Sequence, residues 1–258
     1  MEQGILVASF GTSHEETRRK TICAVERSIR EAYPGHLVEE AYTSGMVRSI
    51  LASRGIPVPS PEQALERLLG RGVQRLAVQP THLIPGEEYD KLLRVLRRYA
   101  PRFAGIRVGR PLFGATEDLR AAAALLSARF PRRDDACVVL MGHGSSHPAN
   151  MAYPALAWLL QAQGRPDMLV ATVEGDPALS DLLPSLRKQA VGRVTLAPLM
   201  LVAGDHAVHD MAGDGPESWK SVLTSQGFSV RVELRGLGED PGFQALYLRH
   251  LAQAAALE

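Results

Sequence analysis

The sequence predicts an α/β protein made of two similar domains, each with a parallel sheet. Two observations lead to this class: short apolar runs alternate with longer helical patterns, and a pair of segments recurs in the same order in each half. The chain has 258 residues, of which 45% are hydrophobic and 22% charged. That length and composition fit a globular protein with an ample core and room for two domains of ordinary size.

Eight short runs rich in β-branched and apolar residues are predicted strands. A strand of a parallel sheet is covered on both faces and therefore appears as a continuous apolar run. The predicted strands are Ile5–Phe10, Leu37–Tyr42, Arg75–Thr81, Ile106–Gly109, Cys137–Met141, Leu169–Val173, Arg193–Leu199 and Val230–Leu234.

Helical patterns lie between these runs, and the alternation predicts βαβ units with helices on both faces of the sheets. The clearest predicted helices are His14–Ala32, Pro61–Gly70, Glu87–Tyr99, Glu117–Phe130 and Ala178–Gln189.

The chain contains an internal repeat. The segment ILVASFGTSH (5–14) resembles VVLMGHGSSH (138–147), and VQRLAVQPTHLIPGEEYDK (73–91) resembles VGRVTLAPLMLVAGDHAVH (191–209). A repeat this long is not a solenoid unit, so it predicts two related domains. We place their boundary in the polar segment RFPRRDD (129–135), which gives domains 1–131 and 132–258.

The repeat also brings candidate site residues into correspondence. Gapless alignment sets Phe10 opposite His143 and Glu88 opposite His206. Ligands of open parallel sheets bind beyond the carboxyl ends of the strands. If the two halves face each other about an approximate two-fold axis, these four positions line one cleft.

Charge and cysteine content narrow the function classes. The formal net charge of +1, from 29 basic and 28 acidic residues, gives no electrostatic reason to expect nucleic acid or an anionic membrane as a partner. No apolar run reaches the roughly 20 residues of a transmembrane helix, and the start MEQGILVASFG lacks a basic leader. Cys23 and Cys137 lack metal-site spacing and sit in apolar segments, which favours a reducing, cytoplasmic setting.

The segment GHGSSH (142–147) follows a predicted strand, and its glycines permit close approach of backbone to a ligand. It lacks the lysine and spacing of a nucleotide phosphate loop, a pattern found nowhere in the chain. His143 is therefore a candidate functional residue, while a plain strand-to-helix turn with His147 at the helix start is the alternative.

The segment GDHAVHD (204–210) presents two histidines directly after an apolar run. His206 and His209 are three residues apart and share a face if the segment is helical, which would suit a two-histidine metal site. The alternative is a helix start at which Asp205 favours the dipole and both imidazoles are solvated. Glu174, in the segment VEGDP after another predicted strand, could supply a missing carboxylate ligand or belong to an ordinary turn.

The remaining histidines carry weaker signals. His14, His36 and His250 are expected at the solvated surface, whereas His82 ends a strand near the predicted cleft. A Ser–His–Asp hydrolase is disfavoured because no Gly-x-Ser-x-Gly turn occurs.

Several motifs together resemble one family. SFGTS, TSGM, GEEYDK, MGHGSSH, PLMLVAGDHA, SWK and GLGEDP are similar, in order and spacing, to the anaerobic sirohydrochlorin cobaltochelatases, class II chelatases of cobalamin biosynthesis. The resemblance runs nearly end to end. It implies a ferrochelatase-like fold of two pseudo-symmetric α/β halves, and self-association is an expectation that comes with it.

The resemblance also implies residue roles. His143 and His206 correspond to metal-binding and catalytic histidines, and Glu174 to the carboxylate that completes the metal site. Glu88 corresponds to the acidic residue facing the tetrapyrrole. His209 falls on no family histidine, so the resemblance disfavours the two-histidine pair.

The implied activity is insertion of Co²⁺ into sirohydrochlorin, or its precorrin-2 relative, without ATP or another nucleotide. Imidazole is a good ligand for Co²⁺ and can accept a proton near neutral pH, so one histidine is expected to take a pyrrole proton once the metal transfers. With Phe10, the loop residues Thr12 and Ser13 are expected to contact the substrate. Insertion of iron or nickel, and tetrapyrrole or metal binding without catalysis, stay open as alternatives.

Overall fold

The structure is a computed structural model that describes residues 2–189 and 191–257. Its first strands and helices are β1 (Glu2–Ser9), α1 (Glu15–Lys20), α2 (Ile22–Ala32), β2 (Leu37–Tyr42), α3 (Gly45–Ser53), α4 (Pro61–Gly70), β3 (Val73–Pro80), α5 (Glu87–Tyr99), β4 (Gly105–Val108) and α6 (Thr116–Arg129). They are followed by β5 (Ala136–Gly142), α7 (Ala152–Ala162), β6 (Met168–Thr172), α8 (Leu179–Lys188), β7 (Arg193–Pro198), a π-helix (His206–Met211), α9 (Trp219–Ser225), β8 (Ser229–Val232), α10 (Pro241–Ala252) and β9 (Ala255–Ala256).

The strands form two sheets with the same internal order. The first runs β2-β1-β3-β4-β9, and the second runs β6-β5-β7-β8. All pairs are parallel except β4 with β9, which pair antiparallel at the edge of the first sheet. The predicted α/β class with parallel sheets is thus confirmed. If the strands of each sheet are numbered from its own first strand, the order 2-1-3-4 recurs in both sheets. The two-fold relation between the halves stays a prediction.

The compact units of the chain divide elsewhere than the predicted boundary between residues 131 and 132. One unit comprises the residues up to Gly114 together with those from Gly238 onward, and the other is Ala115–Leu237. Helix α6 belongs with the second unit because it packs against α7, and α10 returns to the first unit because it packs against α2 and β3. The predicted boundary assigned α6 and α10 to the other unit. A polar segment shows where a connection lies in the chain, but it does not show which sheet a neighbouring helix packs against.

Each unit has its own hydrophobic core between the sheet and its helices. In the first unit, Leu6 of β1 and Val78 of β3 are fully buried with Leu65 of α4. In the second unit, Val139 of β5 and Leu196 of β7 occupy the corresponding central strands. Among the residues that the structure describes, no helix combines the length and apolar character needed to cross a bilayer.

The loops after the first strand of each sheet share a backbone conformation. Gly11 follows β1 with φ +104° and Gly144 follows β5 with φ +86°, and the two are opposite each other in the repeat. At Gly11 a Cβ would lie 2.4 Å from the ring of Tyr42, so no larger residue fits there. Phe10 and His143 therefore stand at topologically equivalent strand ends.

Two sequence expectations differ from the structure. The predicted helix His14–Ala32 is interrupted at Thr21, whose hydroxyl donates to the carbonyl oxygen of Thr17 at 2.6 Å and whose φ and ψ of −115° and −81° leave the helical region. His250 is buried on α10 and not solvated, because its Nδ1 lies 3.2 Å from the carbonyl oxygen of Arg110.

A buried carboxyl group lies in the first unit beside a half-buried ion pair. Arg18 of α1 contacts both carboxylate oxygens of Glu40 at 3.1 Å and donates to the Tyr42 hydroxyl at 2.8 Å. Glu26 of α2 is buried next to this group, and burial, reinforced by the negative charge of Glu40, raises the pKa of Glu26 to about 8. Glu26 is therefore protonated in the folded protein at neutral pH.

We expect Glu26→Gln to stabilise the protein increasingly as the pH rises from 5 to 8. Between its ordinary pKa of 4.5 and the folded value near 8, the unfolded chain loses this proton while the folded chain keeps it, so wild-type stability falls with rising pH. Glutamine cannot ionise, and the gain over wild type should grow by roughly 3–4 kcal/mol from pH 5 to pH 8. Urea unfolding at each pH measures it. Glu31→Gln, on the exposed side of α2, is the charge-matched control, and an equal effect there would contradict the assignment.

Candidate metal centre

Three side chains with metal-binding atoms converge in the second unit. His143, Glu174 and His206 each offer one ligand atom, and these atoms lie within 4.8 Å of one another. They follow β5, β6 and β7, which are neighbours in the sheet. The side chains are 45%, 58% and 34% exposed, respectively. Two imidazole nitrogens and one carboxylate oxygen with a solvent-facing side can hold a borderline divalent ion and still leave coordination positions open.

Backbone hydrogen bonds join the loops that carry His143 and Glu174. The carbonyl oxygen of His143 accepts from the N–H of Glu174 at 2.8 Å and from that of Val173 at 3.1 Å. The next residue, Gly144, would place a Cβ 2.7 Å from the backbone nitrogen of Gly175 and 2.8 Å from the Cβ of Thr172. Glycine is therefore required for the two loops to approach this closely, and their approach sets the distance between imidazole and carboxylate.

Two further side chains hold these loops. Asn150 accepts from the Ser145 N–H at 3.1 Å and donates to the Asp176 carbonyl at 2.7 Å, so one amide bridges both loops. Tyr153 of α7 lies beneath them. Burial raises the pKa of Tyr153 to about 12, while hydrogen bonds from the backbone of Gly144 and His143 act in the opposite direction. The phenol thus stays neutral and supports the backbone at His143.

The hydrogen bonds of His143 fix which ring nitrogen is available. Its Nδ1 lies 3.0 Å from the carbonyl oxygen of Gly144, which can only accept, so Nδ1 carries the hydrogen. Nε2 then keeps its lone pair for a metal. The His143 ring meets the His206 ring edge to face, with centroids 4.7 Å apart and planes at 88°.

Asp210 orients His206. Its Oδ2 lies 2.6 Å from Nδ1 of His206, which places the hydrogen on that nitrogen and leaves Nε2 free. Carboxylate-held histidines are the usual arrangement at metal sites because the partner fixes ring orientation and raises ligand basicity. We did not predict Asp210 from the sequence, although its i, i+4 spacing from His206 was a readable signal.

The π-helical conformation of the segment explains why His206 belongs to the group of three ligand atoms and His209 does not. His206–Met211 is a π-helix, with a hydrogen bond from the Ala212 N–H to the Ala207 carbonyl at 3.2 Å. A π-helix takes more residues per turn than an α-helix, so residue i+3 rotates away from residue i while residue i+4 comes nearer. The structure accordingly brings Asp210 to His206 and leaves His209 outside the group of three ligand atoms.

The other predicted site residues lie in the first unit. Phe10 is 46% exposed after β1. Thr12 is buried and its hydroxyl oxygen accepts from the His14 N–H at 3.2 Å, while the Ser13 carbonyl accepts from Arg54 at 2.7 Å. The loop is therefore fixed by its own hydrogen bonds, and Phe10 is its most exposed apolar side chain.

Glu88 lies in the first turn of α5, and its carboxylate contacts the ammonium of Lys91 at 2.5 Å. Partial burial acts against ionisation, but the ammonium of Lys91, with a smaller effect of the Thr43 side chain, outweighs it, so the pKa of Glu88 is lowered. His82 follows β3 as predicted, with both ring nitrogens buried and without a hydrogen-bond partner. Burial lowers the pKa of His82 to about 4, so this imidazole is neutral beside a carboxylate.

We expect His143→Ala and His206→Ala each to weaken Co²⁺ binding on the order of a hundredfold or more. Removal of a metal ligand lowers metal affinity more than removal of a residue that is hydrogen-bonded to a ligand. His209→Ala, which removes an imidazole from the same π-helix, is the matched control and should bind as wild type does. Titration followed by the visible spectrum of bound Co²⁺ measures affinity. Loss of binding in the His209 variant with retention in the His143 variant would overturn the assignment.

We expect Asp210→Asn to weaken Co²⁺ binding by about tenfold while leaving the fold intact. The amide can present a donor to Nδ1 of His206 and so favour the tautomer with hydrogen on Nε2, the nitrogen that the metal needs. Asp210→Glu, which keeps a carboxylate, should recover part of the affinity. Equal binding by the Asn variant and wild type would show that His206 needs no such partner.

Comparison with known proteins identifies the family of this chain. A family model described as cobalt chelatase (CbiK) matches residues 3–256. The sirohydrochlorin cobaltochelatase of Salmonella typhimurium is 41% identical over 256 residues, covering 98% of this chain and 97% of that protein. The sirohydrochlorin cobaltochelatase CbiKC of Nitratidesulfovibrio vulgaris is 38% identical over 259 residues, covering 99% and 91%.

A solved structure shares the fold. SirB from Bacillus subtilis, determined with Fe³⁺, superposes with a TM-score of 0.69 at 19% identity, covering 98% of this chain and 95% of that one. The family model spans almost the whole chain, and the two relatives are more than one-third identical to it over more than nine-tenths of their lengths, so the chain belongs to the cobalt chelatase (CbiK) family.

Proposed function

We propose that this protein inserts Co²⁺ into sirohydrochlorin or its precorrin-2 relative. The observation that carries the proposal is the convergence of His143, Glu174 and His206 in a member of a cobalt chelatase family. Both relatives named above are sirohydrochlorin cobaltochelatases. The sequence contains no nucleotide phosphate loop, and the proposed reaction uses no ATP.

Two imidazoles and one carboxylate suit a metal ion that the protein must release to the macrocycle. Glu174 offsets part of the ionic charge, and two neutral imidazoles bind Co²⁺ without the permanence of thiolates. All three side chains are at least one-third exposed, so a macrocycle can reach the ion. The protein thus holds the metal firmly enough to position it and loosely enough to release it into a ring with four nitrogens.

Metal release and proton uptake are coupled at the histidines. While the ion is bound, it occupies the Nε2 lone pair of each imidazole, and Nδ1 carries the hydrogen given to Gly144 or Asp210. Transfer of the ion to the macrocycle frees these lone pairs as the ring loses two pyrrole protons. One histidine then accepts a proton as its metal bond breaks, and Asp210 stabilises the imidazolium if that residue is His206. Solvent or another base takes the second proton.

The tetrapyrrole contacts are proposed in the first unit. Phe10 offers an exposed ring for contact with the macrocycle, and Thr12 and Ser13 offer backbone N–H and hydroxyl groups to its carboxylates. Glu88 keeps a lowered pKa and is therefore a carboxylate that can orient the ring or accept a pyrrole proton. A cytoplasmic location and self-association complete the proposal.

We expect His143→Ala and His206→Ala nearly to abolish cobalt insertion while sirohydrochlorin binding survives. Glu88→Ala should keep Co²⁺ affinity and lower the insertion rate on the order of a hundredfold, as misplacement of reacting groups does.

Absorbance assays with Co²⁺, Fe²⁺ and Ni²⁺ in parallel, combined with tetrapyrrole titrations, test the proposal. Turnover with Co²⁺ beyond one equivalent supports it. Stoichiometric binding that stops at one equivalent would identify a carrier, and faster insertion of iron or nickel would identify a chelatase for another metal. Histidine variants that lose tetrapyrrole binding in proportion to rate would make those residues ring contacts.

A further inference from the structure

Arg48 carries a guanidinium group that is partly withdrawn from water and has no anionic partner. It lies in the first turn of α3 and is half-buried, and its Nε is buried without a hydrogen-bond partner. Across the residues described, no carboxylate forms an ion pair with it, whereas Arg18, Arg71 and Arg165 each have one. A desolvated guanidinium ordinarily has a carboxylate or phosphate partner, so this one indicates a ligand.

Helix α3, which carries Arg48, is held against the loop after β1 by hydrogen bonds at both of its ends. Nη2 of Arg48 lies 3.7 Å from the point where a Cβ of Gly45 would stand, so the guanidinium folds back over the start of α3. The preceding residue, Ser44, donates its N–H to the carbonyl of Phe10 at 3.2 Å. At the other end of α3, Arg54 donates to the carbonyl of Ser13 at 2.7 Å. Helix α3 therefore lies along the loop that carries the proposed substrate contacts.

Exposed apolar side chains flank the same place. Met46 is 71% exposed in the first turn of α3, and Phe10 is 46% exposed beside it. Large exposed apolar side chains grouped at the carboxyl end of a parallel sheet are typical of a ligand surface. An apolar surface with one unpaired cation at its margin complements a flat macrocycle with carboxylates on its periphery.

We propose that the first turn of α3 is a tetrapyrrole subsite, in which Arg48 binds a peripheral carboxylate and Met46 contacts the macrocycle together with Phe10. The inference rests on the proposed function, since it takes a polycarboxylate tetrapyrrole as the ligand. Arg48 would then recognise the peripheral substituents of the macrocycle and not the metal ion. Arg48 forms a charge-assisted hydrogen bond, and its fork geometry suits a carboxylate better than the ammonium of lysine does.

The test is a fluorescence titration of metal-free sirohydrochlorin into wild type and three variants. Arg48→Gln should weaken binding by about tenfold, as loss of a hydrogen bond to a charged group does. Arg48→Lys should restore part of that loss. Arg67→Gln, on the exposed side of α4 near the amino ends of the strands, removes the same charge and should bind as wild type does. Met46→Ala should weaken binding less than Arg48→Gln.

Two further readouts separate the subsite from a structural role. Uroporphyrin carries acetate groups where coproporphyrin carries methyl groups, so wild type should prefer uroporphyrin and Arg48→Gln should lose much of that preference. In cobalt insertion, Arg48→Gln should raise KM for the tetrapyrrole and leave kcat and Co²⁺ affinity unchanged. Unchanged binding and unchanged preference in Arg48→Gln would overturn the inference, as would a wild type that binds no tetrapyrrole. A wild type that binds tetrapyrrole through Arg48 but never inserts cobalt would instead overturn the proposed function.

Discussion

The close approach of the loops after β5 and β6 is the constraint on which the candidate metal centre depends. The carbonyl of His143 receives two backbone N–H groups from the second loop, and only glycine at position 144 leaves room for that contact. These bonds are short-range and involve no ligand, so the protein itself holds one imidazole and one carboxylate near each other. A site formed in this way is organised before the metal arrives, which lowers the entropy lost on binding.

The third candidate ligand, His206, is positioned by a π-helix. The chain after β7 closes a π-helix instead of an α-helix, and this turn sets Asp210 against His206 while directing His209 elsewhere. π-helical segments are rare and often occur at functional sites because the extra residue per turn re-aims side chains. Here the consequence is a single oriented imidazole in place of a histidine pair.

The repeated architecture supports two different chemistries in equivalent positions. Strand order 2-1-3-4 and a glycine of positive φ after the first strand recur in both units. The second unit places imidazoles at the strand ends, whereas the first places Phe10 and Glu88 there. Similar backbones thus carry candidate metal ligands in one unit and apolar, acidic and basic side chains in the other. The proposed division into metal holding and tetrapyrrole recognition follows from that difference.

The sequence by itself determined the α/β class, the strand positions to within a few residues and the internal repeat, because buried parallel strands and their loops leave periodic apolar patterns. Local patterns left His143, Glu174 and His206 as separate candidates, and the family resemblance grouped them in one expected metal site. How close they come is decided by tertiary structure, because backbone hydrogen bonds join the loops after β5 and β6 and a π-helix after β7 places His206. The same holds for the assignment of α6 and α10 to their units, the burial of Glu26 and His250, and, within the described part of the chain, the lack of an anionic partner for Arg48. Each of these depends on which residues distant in sequence surround a side chain, and that is a property of the packed fold.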